Sequence, residues 1–116
     1  MFMLYILVKL RIHADRLSEF EEYEERALSI LRKHGGNLLY RLRPAREART
    51  NNAHGFLDAE QNTEMITEIH LLHFPDYDSF QRYGQCPEKE RLQAERDLII
   101  AHTDIQLCNA LQRPPF

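Results

Sequence analysis

The chain opens on an apolar alternation. Between Met3 and Ile12, the residues Leu4, Ile6, Val8, Leu10 and Ile12 share one face of an extended segment, while Met3, Tyr5 and Leu7 occupy the other until Lys9 and Arg11 take it over. A period of two marks a β-strand, and apolar residues on both faces mark one that is covered on both sides over its first half. His13, Ala14 and Asp15 close it, and Asp15 or Ser18 is placed to cap the helix that follows. In that helix Leu17, Phe20, Ala27, Leu28 and Leu31 recur at steps of three and four, with Tyr23 and Glu24 between them, which predicts one apolar stripe. Glu19, Glu21, Glu22 and Glu25 fall on the opposite side, the pattern of a solvated helix face. Lys33-His34-Gly35-Gly36 stops the helix, glycine supplying a left-handed residue and the basic side chains suiting the negative end of the helix dipole.

Leu38, Tyr40 and Leu42 then alternate with Leu39, Arg41 and Arg43, predicting a second strand that Pro44 ends. Residues 44–62 carry Pro44, Asn51, Asn52, Gly55 and Asn62 with little periodicity and read as an inserted loop, folding back as an irregular hairpin around Gly55. Glu64 to Phe74 predicts a third strand with Met65, Thr67, Ile69, Leu71 and His73 on one face and Ile66, Glu68, His70, Leu72 and Phe74 on the other. After Pro75, Asp76 or Asp78 is expected to cap a short helix carrying Phe80 and Tyr83, which Gly84 breaks. Pro87 opens a further helix bearing Leu92, Glu95, Arg96, Ile99 and Ile100 before Thr103. Ile105, Leu107, Asn109 and Leu111 predict a last strand, and Arg113 to Phe116 a tail.

The order strand, helix, strand, strand, helix, strand predicts an α+β fold, a ferredoxin-like βαββαβ sandwich with an antiparallel four-stranded sheet and helices on one face. Two helices do not cover both sides of four strands, so the second sheet face lies bare. Tyr5, Leu7, Leu39 or its neighbours, Ile66, Leu72 and Phe74 are expected there, a larger apolar patch than monomers usually expose. Closing two such sheets face to face makes the chain its own partner, a homodimer through the sheet face.

Length agrees with this: 116 residues suit one domain spanning the chain, and 43% hydrophobic with 28% charged residues suits a globular one. A net charge of -3, from 15 basic and 18 acidic side chains, supplies no field for a polyanion and argues against nucleic acid as a partner. The local basic group Arg41, Arg43, Arg46 and Arg49 is the exception. Cys86 and Cys108 are far apart and form no Cys-x-x-Cys pair, so no zinc or redox motif is signalled, and reduced thiols in the cytoplasm are expected. The apolar run from Phe2 to Leu10 is closed early by Lys9 and Arg11, too short for a membrane span and without a signal peptide's cleavage site, so no membrane association is expected.

The Gly35-Gly36 turn, the strand ending Leu71-Leu72-His73-Phe74-Pro75, and Phe80-Gln81-Arg82-Tyr83 followed by Pro87-Glu88 and Arg96 also carry a resemblance. Over residues 3–111 the chain resembles the dimeric α/β-barrel superfamily of small cofactor-free monooxygenases, muconolactone isomerases and haem-degrading proteins. Within it the chain is most similar to the bacterial domain-of-unknown-function family written as thirteen-thirty, although the 44–62 insert departs from that family's pattern. The resemblance implies the fold and the dimer, with no settled reaction, and a monooxygenase of this kind needs no cofactor.

Glu68 and His70, two apart on one strand face, point the same way and can share a proton in a cavity, making them the candidate catalytic acid/base pair. They are expected to look into the barrel with Ile66, Leu72 and Phe74. His73 points to the opposite face, so His70-x-x-His73 is a poor metal site on a strand and no metal is expected. Arg41 and Arg43 share a face and, with Arg96, can present guanidinium groups to a small carboxylate. Tyr5, Tyr40 and Tyr83 are candidates for a pocket wall; Arg41, Tyr83 and Arg96 form the candidate substrate-binding set. His13, His34 and His102 fall at predicted element ends, where capping is the expected role. A Gly-rich phosphate loop, a nucleophile elbow and a helical His-Glu-x-x-His are all absent from the sequence, which disfavours nucleotide, serine-hydrolase and zinc-protease chemistry. Two functional classes follow. One is a dimer with a cavity between helix layer and sheet, on which Glu68, His70 and an arginine converge. It would be a binder or a monooxygenase-like or isomerase-like enzyme for a small organic molecule, aromatic ones included. The other is a non-catalytic structural or interaction module with no cavity.

Overall fold

The N-terminal alternation forms strand β1, Leu4–His13, in the computed structural model, which describes residues 3–45 and 65–111. A 3-10 turn, Ala14–Arg16, leads into helix α1, Leu17–Lys33. Strand β2 covers Asn37–Leu42 and β3 Met65–Phe74; helices α2, Tyr77–Gln85, α3, Pro87–Arg91, and α4, Gln93–Ile99, precede β4, Ile100–Cys108. The four strands form one antiparallel sheet in the order β2-β3-β1-β4. Helices pack on one of its faces, giving the ferredoxin-like α+β fold. The 46–62 part of the expected insert, with its hairpin and His54, and the tail at 113–116 lie outside the described residues.

The core lies between sheet and helices. Ile6, Val8, Leu10 and Ile12 of β1 and Leu72 and Phe74 of β3 meet Phe20, Tyr23 and Leu31 of α1 and Ile99 of α4. Register decides which face of β3 is covered: Phe74, Leu72, His70, Glu68 and Ile66 sit opposite Leu4, Ile6, Val8, Leu10 and Ile12. Side chains opposite one another share a face, so Ile66, Leu72 and Phe74 lie under the helices and not on the bare face where they were expected. Glu68 and His70 go with them. The bare face instead carries Tyr5, Leu7, Lys9 and Arg11 from β1 and Met65, Thr67, Ile69, Leu71 and His73 from β3.

Other boundaries shift for local reasons. The 3-10 turn displaces the start of α1, so Arg16 takes the N-cap position and neither Asp15 nor Ser18 caps it. A register shift between Leu38 and Tyr40 puts Leu38 opposite Leu72 but Tyr40 opposite Leu71, turning two residues expected on one face to opposite faces. Ile100 opens β4 instead of ending a helix, and His102 therefore lies within a strand, its ring 3.1 Å from Asp104. The Asp76 cap forms as expected, its Oδ1 accepting from the Ser79 N–H at 2.7 Å. No helix among the described residues is long and apolar enough to cross a membrane.

Candidate functional site

A cavity of about 360 Å³ opens between the helices and the covered sheet face, with Ile6, Val8, Leu72, Leu31 and Phe80 among its apolar walls. Its size suits a small organic molecule. Polar groups reach it from every layer: Glu24 and Tyr23 from α1, His70 from β3, Tyr83 from α2, Lys89 from α3, Arg96 from α4 and Thr103 from β4. Of the residues singled out by sequence, His70, Tyr83 and Arg96 line this cavity. Glu68 stands behind His70, and Arg41 lies outside, in a shallow depression shared with Arg43, Glu21 and Glu68. Tyr5 and Tyr40 are on the other sheet face, Tyr5 packed against His73 with ring centroids 6.0 Å apart and Tyr40 exposed.

Glu68 is fully buried, which for an ionised carboxylate demands partners. Three side chains provide them. His70 Nε2 is 2.8 Å from Glu68 Oε1, Arg43 Nε donates to Oε2 at 2.9 Å, and Arg41 donates to both oxygens. Burial alone pushes the Glu68 carboxyl up, but the hydrogen bonds from His70, Arg41 and Arg43 outweigh it and hold the group at about 2. Arg41 and Arg43 are in turn tied to Glu21 on α1, and the Arg41 guanidinium lies over the Phe20 ring, 5.4 Å from its centroid. The expected solvated face of α1 thus contributes Glu21 as an anchor for the arginines.

An ionised Glu68 only accepts hydrogen bonds, so the His70 nitrogen facing it is the N–H. In the neutral ring this leaves the lone pair on Nδ1, which faces Glu24 Oε1 at 3.7 Å. Glu24 is itself buried, and burial, with the nearby Glu68 charge adding to it, pushes its carboxyl above the usual range despite His70. One imidazole therefore stands between a carboxylate held ionised and a carboxyl that resists ionising, an arrangement able to accept a proton and pass it on. Among the described residues no group of three or more His, Cys, Asp and Glu side chains has metal-binding geometry.

Sequence reasoning missed Glu24 and Lys89. Glu24 falls inside the apolar stripe of α1, one residue from Tyr23, and that position was its signal. Lys89 sits in Pro87-Glu88-Lys89-Glu90-Arg91, whose charges look solvated until α3 is docked. In the structure Lys89 Nζ lies 4.6 Å from the centroid of the Tyr83 ring.

No family model matches the chain, and no curated protein matches it in sequence. Solved structures do match over its whole length. SnoaB, a cofactor-independent oxygenase from Streptomyces nogalater, is 15% identical with a TM-score of 0.63, each chain covered to 100%. A NIPSNAP family protein of unknown function from Agrobacterium tumefaciens is 13% identical with a TM-score of 0.66, over 98% of this chain and 93% of that one. An uncharacterised NIPSNAP domain protein from Burkholderia xenovorans is 16% identical with a TM-score of 0.63, over 96% of this chain and 98% of that one. The ferredoxin-like fold of this chain is the fold of SnoaB and of these NIPSNAP proteins.

Proposed function

We propose that the chain is a dimeric α/β-barrel protein of the cytoplasm that binds a small organic molecule in the cavity and acts on it by proton abstraction, without a cofactor, with His70 as base and Glu68 as its positioning carboxylate. The observation that carries this is the 2.8 Å contact between His70 Nε2 and a buried, ionised Glu68, which leaves the lone pair on Nδ1, 3.7 Å from Glu24, a residue that lines the cavity with His70. A base so placed suits two reactions. In oxygenation, the proton leaves an activated carbon, the carbanion reduces dioxygen, and a methylene becomes a carbonyl with water as the second product. In isomerisation, the proton returns to a different carbon. The likeness to SnoaB, a cofactor-independent oxygenase, favours the first. The homodimer closes through the bare sheet face, on which Leu7, Tyr40 and Leu42 are 41%, 58% and 53% exposed. The two free thiols, Cys86 and Cys108, suit a reducing compartment.

An oxygen electrode provides the test, using the purified protein and a panel of hydroxyaromatic compounds with acidic C–H or O–H groups. Uptake dependent on the protein is expected for a subset, falling by about 10²-fold or more in His70→Asn and by less in Glu68→Gln. Turnover unchanged in His70→Asn, or no turnover and no isomerisation across the panel, overturns the catalytic reading.

A further inference from the structure

We infer that Lys89 and Arg96 form an anion subsite at one end of the cavity and that the molecule the cavity takes is a small organic carboxylate. This rests on reading the cavity as the substrate site. Several cations among the described residues are neutralised within the fold: Arg16 pairs with Glu19, Arg26 with Glu95, Lys33 with Glu88, Arg41 and Arg43 with Glu68 and Glu21. Lys89 and Arg96 both line the cavity, and among the described residues neither makes an ion pair with a carboxylate. Their contacts hold the side chains in place without cancelling charge. Arg96 Nη2 donates to Thr103 Oγ1 at 2.6 Å, and Lys89 stands over the Tyr83 ring. Burial pushes the Lys89 ammonium group below its usual range and the Arg96 charge pushes it further, with Cys86 opposing them only in part, the condition of two cations sharing a partly desolvated space. A carboxylate placed there relieves both at once, with Arg96 able to donate two hydrogen bonds and Lys89 one. Apolar walls such as Leu31, Phe80 and Ile100 would take the body of the ligand. Glu24 and His70 complete the polar set, so one molecule anchored by its carboxylate presents its remainder to the base.

Calorimetric titration of the full chain with phenylacetate, cinnamate and 1-naphthoate, each beside its uncharged amide, tests this directly. At least one acid is expected to bind about tenfold or more tighter than its amide. Lys89→Met and Arg96→Gln should each erase most of that difference. Equal binding of acid and amide, no binding of any acid at millimolar concentration, or an acid preference that survives both substitutions overturns the subsite. Comparison of acid with amide uses the unaltered protein, so a variant that fails to fold does not decide the matter. The two readings separate cleanly. Equal binding of acid and amide by the unaltered protein, with His70-dependent turnover intact, removes the subsite alone, and acid preference with turnover indifferent to His70 removes the catalytic reading alone.

Discussion

Glu24 and Glu68 flank one imidazole, and their surroundings pull their ionisation apart. Glu68, held at about 2 against an ordinary 4.5, contributes stability that is full above pH 4.5 and is lost as pH falls from there towards 2. Glu24, raised by burial, has the opposite sign: its contribution is full below pH 4.5 and declines as pH rises through its folded value. Glu24→Gln removes that decline, so its melting temperature is expected to exceed the parent's by ~2–5 °C at pH 8 and to match it at pH 4. Glu68→Gln leaves Arg41 and Arg43 without their buried anion and is expected to lose ~2–4 kcal/mol at pH 7, a deficit that narrows towards pH 3. Thermal melts of the three proteins across pH check both slopes, and parallel curves would refute the assignment. Glu68 and His70 were readable in the sequence because a spacing of two fixes a shared strand face. Which face that is was not readable, since Ile66, Leu72 and Phe74 fit a helix-covered face and a partner-covered face equally well. Lys89 was hidden for a related reason: charge in a short helix reads as solvated until the tertiary contact with Tyr83 is known.

Elements were legible where one local rule decides them and shifted where two compete. The two central strands carry long alternations, and the structure keeps them as β1 and β3. In β2 the bulge beside Leu39 breaks the alternation, a device that period-two reading does not contain. The Gly35-Gly36 turn separates two distinct demands on glycine. Gly35 has φ +82°, so its need is conformational, whereas a Cβ on Gly36 would lie 2.6 Å from Leu31 and 2.8 Å from Phe74, both buried in the core. Gly36→Ala is therefore expected to cost ~2–3 kcal/mol through overpacking, more than the ~1 kcal/mol of Gly35→Ala. Gly84 gives the opposite sign. It lies inside α2 with no heavy atom within 4 Å of an added Cβ, so Gly84→Ala should stabilise by ~0.5 kcal/mol through helix propensity. Urea unfolding of the three variants ranks them, and a Gly36→Ala protein as stable as its parent would show that α1 and β3 can part at little cost.

At the scale of the whole molecule the unanswered demand is the second sheet face. Helices cover one side of the sheet, and on the other Leu7, Tyr40 and Leu42 stay exposed beside the half-buried Ile69 and Leu71. The bare face itself was legible from counting two helical segments against four strands, but its membership was wrong for β3 because register, not composition, assigns it. Lys9 and Arg11 on β1 and His102 and Asp104 on β4 make the far end of this face polar, so the apolar contact should centre on Leu7, Leu42, Leu71 and their copies. A twofold pairing brings each of these beside its own equivalent or a near neighbour, and a charge there is repeated twice in one desolvated interface. Leu7→Lys and Leu42→Glu are each expected to give a protein of the parent's single-chain mass, 13.8 kDa, in native mass spectrometry, against about twice that for the parent, with the circular dichroism of a folded chain retained. Both residues are exposed in the single chain, so the substitutions leave the core between sheet and helices intact. A parent already monomeric, or variants that stay dimeric, would leave the bare face without its partner and require another explanation for its exposed apolar residues.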